Sequence, residues 1–347
     1  MKAHQYNCLT ALLLGVLAST VLAQPAEQTI DPLNAPAVDP VTALERSQEL
    51  TRRLQDLDTI TSQAGVYDVS LIEAYRDLAG FYVEQGEHAA AADALREALQ
   101  ITRINEGLNS SRQQDILQQI IQSEAASEDW QAVDAAHHLK LYVADRNYAP
   151  GDPDYLAAVD EYGRWKLRVL QENLLGLNNR NLEREAEALS MHYQTAIAGI
   201  DAAQPDSGGS LIPLLYGKSQ VDMSIARALA STPYQYFPGT VSQYINETVC
   251  NNVRDANGGV VRSCYTVKRE NPRYRQSQQD AKRLAVMRSA RQVEEVIDRL
   301  QAILDSQPDL PPERRTEVQT RIGELLVESQ QIDRVSRRGA LGGFPSF

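Results

Sequence analysis

A chain of 347 residues with a net charge of −12 at pH 7 is long enough for two domains or one extended repeat array. The acidic balance argues against nucleic acid as a partner, because neutralising phosphates needs a basic footprint. Three cysteines are too few for a disulfide-dense scaffold, yet enough for one bridge.

The chain opens with the pattern of a secretory signal peptide. Lys2 and His4 precede an apolar stretch from Leu9 to Ala23 that ends in small residues, with Val21 and Ala23 at −3 and −1 of a cut before Gln24. The stretch is shorter than the ~20 apolar residues of a membrane-spanning helix. Residues 1–23 are therefore expected to be removed, and the mature protein to be periplasmic or secreted with no transmembrane segment. Cleavage takes away Lys2 and no acid, which leaves −13. It also removes Cys8, so that Cys250 and Cys264 remain, an even count in an oxidising compartment. Residues 24–40 (QPAEQTIDPLNAPAVDP) are rich in Pro, Ala and acid and read as a disordered linker.

Helix signals run from residue 41 to 203. Residues 41–62 form an entry helix. Three segments then align without gaps at a spacing of 42: Gln63–Leu78, Asn105–Ile120 and Asn147–Tyr162. Each opens with turn residues (Gly65, Gly107, Pro150-Gly151) and passes into a helix. Apolar residues recur in register as Tyr75, Leu117 and Val159, then as Leu78, Ile120 and Tyr162. A fixed period of this size marks stacked helix pairs, each covering the apolar stripe of the next.

The first unit resembles a tetratricopeptide repeat. Tyr75, Leu78, Ala79 and Tyr82 stand at first-helix packing positions, Gly86 at the turn, and Ala91, Leu95 and Ala98 on the second helix. In the second unit Leu117, Ile120 and Trp130 fit, while Ile121 and Val133 replace small residues. In the third, Val159, Tyr162 and Gly163 fit, but the first helix reads as continuing to about Leu175. The period resembles the longer repeats of kinesin light chains. The resemblance covers residues 63–175 and implies a groove lined by successive first helices. By the alignment, Glu73, Arg76, Gln118, Gln122, Asp160 and Arg164 would line it and hold a peptide or partner helix. Plain solvent exposure of these polar groups is the simpler reading.

Residues 180–203 form a further helix with Leu182, Ala186, Leu189, Tyr193, Ile197 and Ile200 on one face. The segment 204–246 then reads as a helix, Leu211 to Ser231, followed by an aromatic loop. Its rings, Tyr234, Tyr236 and Phe237 with Tyr244, would either pack the loop or offer a lip for sugar or peptide.

Residues 247–269 change to Val- and Thr-rich runs around Asp255-Ala-Asn-Gly-Gly, the pattern of a β-hairpin. A three-residue loop at Ala256–Gly258 sets Cys250 opposite Cys264, Val249 opposite Tyr265 and Val253 opposite Val261. The expected disulfide would offset roughly 3 kcal/mol of chain entropy for a loop of about 15 residues. Residues 276–336 carry two narrow apolar seams, Ala290, Val293, Ile297, Leu300, Leu304 and Val318, Ile322, Leu325, Ile332, joined by SQPDLPP. They read as an antiparallel helical hairpin, with a flexible tail over 337–347.

The fold class that follows is all-α: a tetratricopeptide-like array with a stapled β-hairpin and a C-terminal helical hairpin. No catalytic, cofactor-binding or metal-ligating residues are assigned. Nucleophile-elbow, phosphate-loop and zinc-helix motifs are absent. His137-His138 are adjacent on a helix and point in different directions, and His88 and His192 lack a ligand partner at helical spacing. From Val249 to Gln292 ten basic residues face three acids, +7 against −20 for the rest of the mature chain. Arg262, Lys268, Arg269, Arg273 and Arg275 form a candidate basic patch for the chain's own acidic repeats or for an acidic envelope component. Another protein or peptide is the expected partner, in envelope assembly or maintenance. A self-assembling coiled-coil protein and a cell-wall glycan binder are the alternatives.

Overall fold

Helical periodicity folds the chain into ten α-helices, and a single run of β-branched residues adds one two-stranded sheet, among residues 40–204 and 208–341 described by the computed structural model. The signal sequence and nearly all of the linker lie outside the described residues. The helices are α1 (Pro40–Ala64), α2 (Ser70–Glu84), α3 (His88–Glu106), α4 (Gln113–Ala126), α5 (Trp130–Asn147), α6 (Pro153–Glu172), α7 (Asn179–Ala203) and α8 (Ile212–Ser231). After them come strands β1 (Tyr244–Arg254) and β2 (Val260–Glu270), then α9 (Tyr274–Ser306) and α10 (Pro312–Leu341). The described residues from Leu50 on form one compact unit; of residues 1–49 the described part is the opening of α1.

The 42-residue period is carried by backbone hydrogen bonds. In the turn from α2 to α3, Glu87 N–H donates to Tyr82 O and Gly86 N–H to Val83 O. In the turn from α4 to α5, Asp129 N–H donates to Glu124 O and Glu128 N–H to Ala125 O. Both are the paired closing bonds of a helix that ends on a left-handed residue. Gly86 supplies that conformation at φ +76°, and Glu128 adopts it at φ +60°. At the other end of the repeats, Asn105 Nδ2 donates to Tyr67 O (2.8 Å), and Asn147 Nδ2 donates to Asn109 O (2.6 Å). These two amides, one repeat apart, each tie the loop that opens a repeat to the end of that repeat's second helix. Asp129 and Asn178 cap the starts of α5 and α7 with their side chains. α6 is longer than α2 and α4 and ends at Glu172, where Asn173 turns left-handed at φ +50°.

Two apolar cores result. One joins α1 to α6 around Leu71, Leu78, Ala91, Leu95, Leu117, Ile120, Val133 and Trp165. The other runs from α6 to α10 around Tyr193, Leu211, Ile212, Leu215, Val293, Leu300, Val318 and Leu325. α6 serves both, giving Trp165 and Val169 to the first and Val159 and Leu167 to the second. The C-terminal helical hairpin packs on α8, and its two apolar seams, apart from the half-buried Ala290, are buried inside the second core. Those seams are thus covered within one chain, which removes the motive for a self-assembling coiled coil. α10 continues past Arg337 to Leu341, because the single Gly339 costs a helix only about 1 kcal/mol; the remainder of the expected tail is outside the described residues.

The hairpin takes the expected register, with Cys250 opposite Cys264, Val249 opposite Tyr265 and Val253 opposite Val261. Cys250 and Cys264 form a disulfide. Asp255 N–H donates to Gly259 O, closing the three-residue loop, and Gly258 holds φ +80°. The strands begin at Tyr244 and end at Glu270, longer than residues 247–269, because Ile245 and Arg269 continue the alternation.

Candidate interaction site on the helical array

Position in the repeat decides which side chains the first helices show to solvent. On α2, α4 and α6 the equivalent residues Leu78, Ile120 and Tyr162 are buried. One row over, Arg76, Gln118 and Asp160 are half-buried, and the next row, Gly80, Gln122 and Arg164, is exposed. Arg76 pairs with Glu73 (3.2 Å) and donates to Gln119 of α4 (3.4 Å). Arg164 pairs with Asp160 one turn away (3.1 Å), and Gln118 accepts from Lys140 of α5. Four of the six candidate groove residues are therefore already paired within their own helices, and Gln118 is held across the repeat.

A denser polar cluster lies where α5, α6 and α7 meet. Its acid is Asp134 of α5, which accepts from Trp165 Nε1 (2.8 Å) and Lys166 Nζ (3.0 Å) and lies 3.5 Å from His138 Nε2. Burial pushes the Asp134 carboxyl up. The hydrogen bonds from His138, Trp165 and Lys166 and the charge of Lys166 outweigh it and hold the group well below the usual carboxylate range. Lys166 also reaches Glu185 of α7 (3.0 Å). Tyr162 stacks edge-on against both His138 and His192, and burial pushes its hydroxyl up, reinforced by Asp134 and Glu185. His137 lies flat on Trp165 (5.1 Å between centroids) and 3.7 Å from Glu161. Burial pulls its pKa down to about 4, against the opposing charge of Glu161. Lys140 bridges Gln118 and Glu161.

This array is tetratricopeptide-like. Paired antiparallel helices recur every 42 residues, with the same turn bonds and the same loop-pinning amides. Two solved structures of a Podosopora anserina putative kinesin light chain with nearly identical TPR-like repeats, one of them a point variant, are similar to this chain. Each is 11% identical with a TM-score of 0.38, over 54% of this chain and 81–82% of theirs. At that TM-score the likeness carries no argument, and the assignment rests on the recurrence itself. No family model matches the chain. No curated protein matches it either.

The tetratricopeptide-like period also explains why the polar cluster is hard to see in sequence. His137 and Lys140 occupy the positions where the preceding repeat has the buried Leu95 and Ala98. Read as a helix face they look like misplaced surface residues; only their neighbours, Trp165 and Glu161 on α6, make them a satisfied junction. Departure of one repeat from the apolar pattern of the other was the available signal. His137 and His138 turn to different carboxylates, Glu161 and Asp134. Among the described residues no group of His, Cys, Asp or Glu is arranged to hold a metal ion, and no helix is long and apolar enough to cross a membrane.

The aromatic segment after α8 is tied to the start of α9. Gln278 Nε2 donates to Gln235 O and Phe237 O, and Arg275 lies over the Tyr234 ring (5.5 Å). Tyr236 is 80% exposed. Tyr244 belongs to β1 instead of the loop and carries Lys268 on its face (4.6 Å). Packing thus accounts for part of this cluster. Of the candidate basic patch, Arg269 pairs with Glu247 across the hairpin (3.0 Å). Arg262 and Arg273 are exposed, with no ion pair among the described residues.

Proposed function

We propose that this protein is an interaction scaffold that holds another protein or peptide against the first helices of its repeats, and that it works outside the cytoplasm after removal of residues 1–23. The observation that carries the reading is the pair of polar rows on α2, α4 and α6. Arg76, Gln118 and Asp160 repeat at one position, and Gly80, Gln122 and Arg164 at the next, beside a fully buried row. A ladder of polar groups at fixed spacing suits an extended chain that meets the same contact at each step. Glycine in the exposed row of the first repeat leaves backbone approachable there. A role in envelope assembly or maintenance follows from the export pattern and is part of the same proposal.

The experiment is affinity capture from envelope extracts with the mature protein and with a Gln122→Arg, Asp160→Arg variant. Both positions are on the proposed face, and neither is fully buried. The variant is expected to melt within a few degrees of the parent and to lose the captured set. Retention of that set by a folded variant would refute the groove.

A further inference from the structure

The hairpin stands on α9 as an arm, β1 and β2 pairing only with each other. Every residue of both strands is exposed except the half-buried Val249, Cys250 and Val267. Of its basic groups only Arg269 has an ion pair among the described residues, with Glu247 across the hairpin. Arg254, Arg262 and Lys268 on the arm, and Arg273, Arg275, Arg283 and Arg288 on and beside the first half of α9, are exposed. None of the seven has an ion pair among the described residues; Lys268 and Arg275 lie on the rings of Tyr244 and Tyr234 instead. Among the described residues the arm makes no ion pair with the acidic repeats of its own chain; its one ion pair lies within the hairpin.

The matching surface is nevertheless on the same kind of molecule. The turns from α2 to α3 and from α4 to α5 form one edge of the array, related by the repeat. They expose Glu84 and Glu87 in the first repeat and Glu128 and Asp129 in the second, with Glu87 and Asp129 at equivalent positions. None of these four has an ion-pair partner among the described residues. Residues 84–95 and 124–139 contain no Lys or Arg; the neighbouring Arg96 is taken up by Asp93 and Glu124 and pairs with none of these four. A segment of +7 and a remainder of −20 in the mature chain are complementary between molecules even though each molecule is acidic overall.

We infer that the basic arm and the opening of α9 of one copy dock on the acidic turn edge of a second copy. The two surfaces differ, so the contact is head-to-tail, and a head-to-tail contact that does not close into a ring grows with concentration. Exposed opposite charges attract over about a screening length, ~10 Å at 0.1 M salt and ~3 Å at 1 M, so the assembly is held by charge and loosened by salt. This contact is separate from the α2, α4 and α6 rows and leaves them free.

Sedimentation of the disulfide-intact mature protein tests it. At about 0.1 M salt the average mass is expected to rise with concentration, and at about 1 M to fall to that of one chain. Arg254→Glu, Arg262→Glu, Arg273→Glu should stay a single chain at low salt with an unchanged melting temperature. Glu84→Lys, Glu87→Lys, Glu128→Lys, Asp129→Lys should do the same. Mixing the two variants should restore assembly, because the reversed arm then meets a reversed edge. A single chain at low salt at every concentration overturns the inference and leaves the arm to a different acidic partner or to solvent. Assembly that survives arm reversal, or that ignores salt, overturns it as well and points to the arm's apolar face.

Discussion

Glu128 holds a backbone conformation that favours glycine, at the position where the previous repeat has Gly86. A left-handed residue with a Cβ costs roughly 1–2 kcal/mol, part of which glycine returns through its freer unfolded chain. Glu128→Gly is expected to stabilise the protein by about 0.5–1 kcal/mol in urea unfolding; a loss of stability would mean that the turn is not the helix ending described. Tyr193 is the opposite kind of residue, fully buried between two glycines. A Cβ on Gly163 or on Gly217 would run into its hydroxyl oxygen. Gly217→Ala should therefore cost roughly 1–3 kcal/mol by overpacking. The same hydroxyl has no hydrogen-bond partner among the described residues. An unsatisfied buried hydroxyl is costly, so Tyr193→Phe is expected to be neutral or stabilising in the same assay. Neither residue's role was legible in the sequence. Tyr193 could be read as core from its helix face, but the two glycines that make room for it come from α6 and α8, far apart in the chain.

At the scale of elements, the hairpin was the most legible part. One loop choice fixed the cysteine pairing, and the same choice set the apolar alternation, because strand side chains have a period of two. What could not be read was that the apolar face would stay exposed, since nothing local says whether another element covers it. That exposure has a consequence for the disulfide. An isolated two-stranded sheet is marginal in water, and this one makes no extensive contact with any helix among the described residues. Cys250→Ser, Cys264→Ser should loosen residues 244–270, seen as faster amide exchange and new protease sites there, and leave the melting temperature of the helices nearly unchanged. A large drop in that temperature would show that the arm is integrated into the body. The C-terminal helices were legible as a pair for the same reason of local periodicity. Their burial against α8 was not, because seams that fit a coiled coil between chains fit equally well within one.

For the whole molecule, the junction where α5, α6 and α7 meet holds two histidines whose protonation folding disfavours. Burial lowers the pKa of His137 to about 4. Burial also lowers His192, with the charge of the nearby His138 acting the same way. Both are taken up neutral on folding, while the unfolded chain protonates them near 6.5. Between about pH 6.5 and 4 the unfolded state binds more protons, so stability falls as pH falls through that window. Glu161 opposes the fall at His137, and Lys140 adds to it. Asp134, held low, keeps its contribution until far more acid conditions. The melting temperature should drop from pH 7.5 to pH 5, and His137→Gln should drop less than the parent; equal slopes would exclude His137 as a source. The array itself was legible because its period repeats in register. The junction was not, because it is the place where the repeat abandons its apolar pattern and satisfies polar groups across three helices instead.

If partners meet the first helices of the array, site-specific photo-crosslinking in intact cells will find them there. A photoreactive side chain is placed in turn at Glu73, Gln118, Gln122 and Arg164, and at Asp93, Glu97 and Asp145 on the second helices. One shared set of crosslinked proteins is expected from the α2, α4 and α6 positions, and none of that set from α3 or α5. Crosslinks confined to the α3 and α5 positions, or none from the first helices in a folded protein, would show that the groove is not where this protein holds its partners.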